Sequence, residues 1–252
     1  MECILKDVEC ILKVNDLNKN YGSRQAVKGI SFEIKQGEIL GFLGPNGAGK
    51  STSINIISTV VNSDEGDILF LGKNIKKNEG FLKKNLGVVP QDIALFNNLS
   101  AYDNVKFFCS LYGIKGKQLK KNIEDALNFV GLWERRNDLP PSFSGGMKRR
   151  LNIACSIAHN PKLLIMDEPT VGIDPQSRNN ILETVKKLNG NGTTIIYTSH
   201  YMEEIESICT RIIIMDEGKI IEHGTKEELK KKYQEDNLEK IFLKLTGKEL
   251  RD

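Results

Sequence analysis

Long uncharged apolar runs are missing from this sequence. The nearest candidate, Ile212 to Met215, has the length of a buried strand, far short of the roughly 18 residues that a membrane-spanning helix needs. Any membrane role is therefore expected to come through a separate partner. The first residues mix Glu2, Lys6, Asp7 and Glu9 among apolar side chains, which is not the pattern of a secretory signal. Charge of one sign is also lacking: 36 basic against 33 acidic side chains leave a net charge of +3, without the basic excess of a nucleic-acid binder. The five cysteines, Cys3, Cys10, Cys109, Cys155 and Cys209, are odd in number and have no CxxC spacing. They exclude a disulfide scaffold and a zinc module, and read as reduced thiols of a cytoplasmic protein.

What is present is enough chain, 252 residues, for one large domain with a subdomain. Residues 2–6 (ECILK) recur at 9–13, a tandem copy to which no function is assigned. Short β-type runs follow at 11–17, 26–34 and 38–43, and predict a small antiparallel sheet feeding a buried strand. After Leu71 the pattern turns helical, with apolar residues at three- and four-residue spacing over 101–112, 118–130 and 147–159. Apolar runs at 163–166, 194–198 and 211–215 then alternate with helix-like segments at 175–188 and 201–208, the arrangement of a parallel sheet covered on both faces. The last stretch, 226–252, is dense in Lys and Glu and carries Leu229, Tyr233, Leu238, Ile241, Phe242 and Leu245 at helical intervals. It predicts a solvated amphipathic tail.

Two motifs carry chemistry. Gly44-Pro45-Asn46-Gly47-Ala48-Gly49-Lys50-Ser51 fits G-x-x-x-x-G-K-[ST], lies between the run 39–43 and a helix-like segment starting at Thr52, and so has the context of a phosphate-binding loop. Its glycines let backbone N–H groups approach phosphates. Lys50 offers a cation to the β and γ phosphates, Ser51 a hydroxyl to Mg2+, and the helix N-terminus its partial positive charge. The second motif, Leu163 to Glu168, is an apolar strand ending in two carboxylates. At the carboxyl end of a parallel strand these face the phosphate site, Asp167 toward Mg2+ and Glu168 toward an attacking water.

Phe143-Ser144-Gly145-Gly146-Met147, shortly before that strand, resembles the LSGGQ signature of ABC ATPases. Ser144, Gly145 and Gly146 at the start of a helix-like segment make a second anion-binding helix N-terminus. The resemblance extends in order over residues 11 to about 225. It implies that Tyr21 stacks on adenine with Val27 as apolar neighbour, that Gln91 contacts Mg2+ and water, and that His200 holds the γ phosphate and the catalytic glutamate. It further implies that Gly172-Ile173-Asp174 crosses a dimer interface.

The fold implied is a phosphate-loop α/β core, 1–225, with an N-terminal antiparallel sheet, a helical subdomain inserted at about 93–160, and the tail 226–252. The function implied is an ATPase subunit, binding ATP from Gly44 to Thr52 and through the partner's signature. It would dimerise head to tail, as homodimer or heterodimer, and power a separate transmembrane permease from the inner face of the cell membrane. Phe and Met at the signature's ends depart from the consensus, but Ser and both Gly residues remain. The Phe-Ser-Gly-Gly-Met-Lys-Arg-Arg form, together with Thr170-Val-Gly-Ile-Asp-Pro and the residues that follow Thr198, most resembles the branch serving drug, antibiotic and polysaccharide exporters. A soluble ABC ATPase acting on nucleic acid and a scaffold that binds ATP without turnover are the competing readings.

Overall fold

The structure is a computed structural model in which residues 10–247 are described. The first ECILK copy and the last five residues lie outside them. Strands β1 (Cys10–Tyr21) and β2 (Arg24–Lys35) form an antiparallel hairpin, followed by β3 (Ile39–Leu43) and α1 (Lys50–Ile57). Next come β4 (Glu65–Phe70), β5 (Lys73–Asn74), α2 (Glu79–Asn85) and β6 (Leu86–Val89). The helices α3 (Ala101–Leu111), α4 (Gly116–Phe129) and α5 (Gly145–Ile157) form one block. Then β7 (Leu163–Met166), α6 (Pro175–Gly190), β8 (Thr194–Thr198), α7 (Met202–Ile208) and β9 (Arg211–Asp216) alternate. β10 (Lys219–Thr225), α8 (Lys226–Tyr233) and α9 (Leu238–Thr246) complete the chain.

Two sheets result. The smaller is antiparallel in the order β2-β1-β4-β5, and the larger runs β10-β9-β3-β8-β7-β6, parallel except for the β9–β10 hairpin. Every residue of β3, β7 and β8 is buried, which is why these strands read as continuous apolar runs rather than alternating ones. Their side chains still alternate between faces. Leu40, Phe42, Ile165, Ile196 and Ile213 pack toward the antiparallel sheet and α1, whereas Leu43, Met166, Tyr197 and Ile214 pack toward the helices. Each buried Leu or Ile stabilises the fold by about 1.5–3 kcal/mol.

The helical pattern expected from Leu71 onward begins only at Glu79, and β5 and β6 intervene. β6 leaves no mark in the sequence pattern because Leu-Gly-Val-Val is too short to show a period. It is nevertheless the edge strand beside β7, its Val89 level with Met166. In the tail, Leu229, Leu238, Ile241 and Phe242 join the main core, so α8 and α9 pack by one face against the body. The four parallel strands β3, β8, β7 and β6 lie side by side, so the turns that leave their carboxyl ends emerge along one edge of the sheet.

Candidate functional site

Each of those four turns delivers a residue singled out by the sequence. After β3 the chain makes the loop Gly44 to Gly49 and enters α1 at Lys50. Glycine is required at two points. A Cβ on Gly44 would lie 2.4 Å from the Met215 carbonyl oxygen, and Gly49 has φ of +101° with a Cβ position 2.6 Å from the Ala26 carbonyl oxygen. The Lys50 side chain is buried and curls back over the loop, its Nζ donating to the Gly44 carbonyl at 2.5 Å and the Pro45 carbonyl at 3.2 Å. Burial lowers the Lys50 pKa, opposed by the carboxylates of Glu168 and Asp167.

After β7 come Asp167 and Glu168. A single hydroxyl organises both: Thr198 Oγ1 donates to Asp167 Oδ1 at 2.7 Å and accepts from the Glu168 N–H at 2.8 Å. Burial raises the Asp167 pKa, countered first by the Thr198 hydrogen bond. Glu168 has φ of +47°, a left-handed conformation costing a non-glycine residue roughly 1–2 kcal/mol. The turn after β8 brings His200, whose Nε2 lies 2.5 Å from Glu168 Oε1 while its buried Nδ1 has no hydrogen-bond partner. A cleft of about 440 Å³ is lined by Tyr21, Arg24, Ala26, the loop from Asn46 to Thr52, and Glu168.

The signature residues are elsewhere. Ser144 caps α5, accepting from the Met147 N–H at 3.3 Å, and Ser144 and Gly145 are exposed. None of 144–146 lines the cleft of its own chain. Gly146 packs against α6, where a Cβ would meet Ser177 Oγ at 2.2 Å. Asp174 caps α6 by accepting from the Ser177 N–H at 2.9 Å, which lowers its pKa. The N-termini of α5 and α6 are thus neighbours facing solvent.

Residues 27–171 match the family model described as ABC transporter. The chain belongs to the ABC transporter family. It is 53% identical to a linearmycin resistance ATP-binding protein of Bacillus subtilis, across 87% of this chain and 70% of that protein. A Nod factor export ATP-binding protein of Ralstonia nicotianae is 37% identical, with 87% and 68% covered. A methionine import ATP-binding protein of Clostridioides difficile is also 37% identical, with 87% and 70% covered. Among solved structures, the dimeric post-hydrolysis state of the ATP-binding cassette MJ0796 with ADP and phosphate superimposes with a TM-score of 0.75 at 26% identity, covering 85% of this chain and 98% of that one. This ABC protein is accordingly an ATP-binding, ATP-hydrolysing subunit.

The remaining site candidates of this ABC chain fall unevenly. Tyr21 is 48% exposed on the cleft rim, with Lys19 Nζ 5.7 Å from its ring centroid. Val27 points into the core and is fully buried, so its neighbour Ala26 takes the place on the cleft that was expected of Val27. Gln91 follows β6 and is exposed, outside the cleft lining; its carbonyl and that of Pro90 accept hydrogen bonds from buried Arg149 on α5. Three contributors carry no motif in the sequence: Thr198, Arg149 and Arg24, which donates to the Gly47 carbonyl at 3.3 Å. A threonine at a strand end or an arginine in a basic run carries no distinguishing signal.

Proposed function

We propose that this chain hydrolyses ATP in a head-to-tail dimer and drives export through a separate transmembrane permease. The observation that carries the catalytic reading is the convergence of the Lys50 loop, Asp167 and the Glu168–His200 pair at the ends of adjacent parallel strands. ATP would lay its adenine on Tyr21 and its phosphates on the N–H groups from Asn46 to Thr52, at the positive end of α1. Lys50 then exchanges two neutral carbonyl partners for phosphate oxygens, a stronger charge-assisted contact. Glu168 accepts a hydrogen bond from water and takes its proton as the oxygen attacks the γ phosphorus. The bond to the bridging oxygen breaks, releasing ADP and phosphate. His200 holds the Glu168 carboxylate in place. Ser51 and Asp167, with Gln91 brought in from the β6 turn, form an oxygen-rich set of the kind Mg2+ takes beside phosphates. The bound cation would neutralise phosphate charge, and the half-buried carboxylate of Asp167, already penalised by desolvation, has the chemistry to receive it.

Ser144 and Gly145, exposed and off the cleft, with buried Gly146 behind them, would close the site of a second copy. Asp174 stands beside them at the same surface. An apolar groove of about 530 Å³ between β6 and the helical block, lined by Val88, Pro90, Phe108, Leu111 and Tyr112, is the surface we assign to the permease. The export direction is supported by the resistance and export names of two relatives, and by the Phe-Ser-Gly-Gly-Met signature. One experiment with two arms tests the proposal. Glu168→Gln should bind ATP normally, lose turnover and elute as an ATP-dependent dimer; undiminished hydrolysis would end the assignment of Glu168. Leu111→Asp should keep ATPase activity yet lose co-purification with the permease, and native co-purification would remove the groove from consideration. No helix among the described residues is long and apolar enough to cross a membrane. On this reading the permease would hold the chain at the inner face of the cell membrane.

A further inference from the structure

Glu204 sits on α7 with 1% of its surface exposed. A carboxylate withdrawn from water is costly unless it is well hydrogen-bonded, and here its partners come from separate parts of the fold. Oε2 accepts from Thr170 Oγ1 at 2.8 Å, from the Tyr197 hydroxyl at 2.9 Å and from Ser199 Oγ at 2.7 Å. Oε1 faces Arg178 Nε on α6 at 3.4 Å. Burial and the Glu204 charge raise the Tyr197 pKa, keeping that phenol protonated as a donor.

The donors have a common feature. Thr170 is two residues beyond Glu168, and Ser199 immediately precedes His200. Ser199 Oγ also accepts from the Tyr201 N–H at 2.9 Å, so the turn carrying His200 is held on both sides of the imidazole. The Arg178 guanidinium lies 4.1 Å from the Tyr201 ring centroid and anchors the same turn to the start of α6. One buried carboxylate therefore ties the Glu168 loop to the His200 loop, and the 2.5 Å contact between those two side chains spans the gap that it fixes.

We propose that Glu204 is a positioning residue for hydrolysis, setting the geometry of the Glu168–His200 pair through Thr170 and Ser199. It rests on the reading of Glu168 and His200 as the hydrolytic pair. The hydroxyls distinguish this role from bulk stability, because each can be removed while the carboxylate and its packing remain. The full-length chain is compared with Thr170→Val, Ser199→Ala and Glu204→Gln for ATP turnover, and by 15N NMR of imidazoles, practicable because the chain has 3 histidines. The expected result is a fall in kcat of about tenfold in each variant, with KM for ATP within about twofold. The His200 resonances should move while those of His159 and His223 stay. A native kcat, or a reduced kcat with His200 resonances unmoved, overturns the proposal. If Glu204→Gln does not fold, the two hydroxyl variants are judged by the same criteria. Glu168→Gln measured beside them separates the two levels: surviving turnover there condemns the hydrolytic pair, whereas lost turnover there with native kcat in the hydroxyl variants condemns the role of Glu204 alone.

Discussion

Lys50 shows how a single side chain stores a binding function before the ligand arrives. Its ammonium is buried, penalised by desolvation, and hydrogen-bonded to the neutral carbonyls of Gly44 and Pro45. Phosphate oxygens offer it a charged partner in the same place. Hydrogen bonds to charged groups are worth about 1.5–3 kcal/mol, so Lys50→Ala should weaken ATP binding by roughly tenfold to a hundredfold or more. Calorimetric titration checks this, and a native affinity would detach Lys50 from the phosphate site. Residues of this kind were legible because the loop motif fixes both the glycines and the lysine at set spacing. Thr198 and Glu204 were not, since what matters about them is a meeting across the sheet between β7, β8 and α7 that no local pattern encodes. Val27 was misplaced for a simpler reason. Successive side chains on β2 face opposite ways, and the alternation gives the cleft to Ala26 and the core to Val27.

His159, just past the end of α5, joins three elements. It stacks on Tyr112 at the end of α3, with ring centroids 3.6 Å apart, and its Nε2 meets the Leu86 carbonyl of β6 at 3.0 Å. A carbonyl only accepts, so Nε2 carries the proton and the buried Nδ1, which has no partner, is bare. Burial pushes the pKa down to about 4, against a weaker upward pull from the Leu86 carbonyl. The unfolded chain takes up this proton near pH 6.5 and the folded chain does not, so stability is fully present above 6.5 and is lost as pH falls toward 4. The loss is worth about 3 kcal/mol. Urea unfolding from pH 7.5 to 4 should show it, and His159→Phe, which keeps the ring stack, should flatten that dependence while lowering stability at pH 7.5 by about 1–3 kcal/mol for the Leu86 carbonyl left unpaired. An unchanged slope would place the acid sensitivity elsewhere. At this scale the sequence was most readable where a period runs long. The helices expected at 101–112 and 118–130 match α3 and α4 within a residue or two, and the runs at 163–166 and 194–198 coincide with β7 and β8. Short pieces such as β5 and β6 escaped because they are strands only by virtue of their neighbours.

The whole molecule poses a question of closure, since its phosphate loop and its signature do not share a cleft. Ser144 and Gly145 face solvent at the N-terminus of α5, an anion-binding position away from the phosphate-loop cleft of its own chain. A second copy, turned head to tail, would set each signature over the other's phosphate loop and give two composite sites. Ser144→Arg should leave ATP binding by the monomer intact but block dimerisation and hydrolysis, because the larger side chain fills the space over the γ phosphate. Lys50→Ala should fail earlier, at binding. Mixing the two inactive variants discriminates between action within one chain and action between chains. In the mixed dimer one site combines both defects, while the other joins a native loop from the Ser144→Arg subunit to a native signature from the Lys50→Ala subunit. That site should hold ATP, measurable by nucleotide occupancy at one per dimer, and hydrolysis should return to as much as half the native rate if the sites fire independently. Occupancy without turnover would mean that both sites must be whole before either acts. Full activity in the Ser144→Arg homodimer would show that the signature contributes nothing to the site, and the head-to-tail dimer would have to be abandoned.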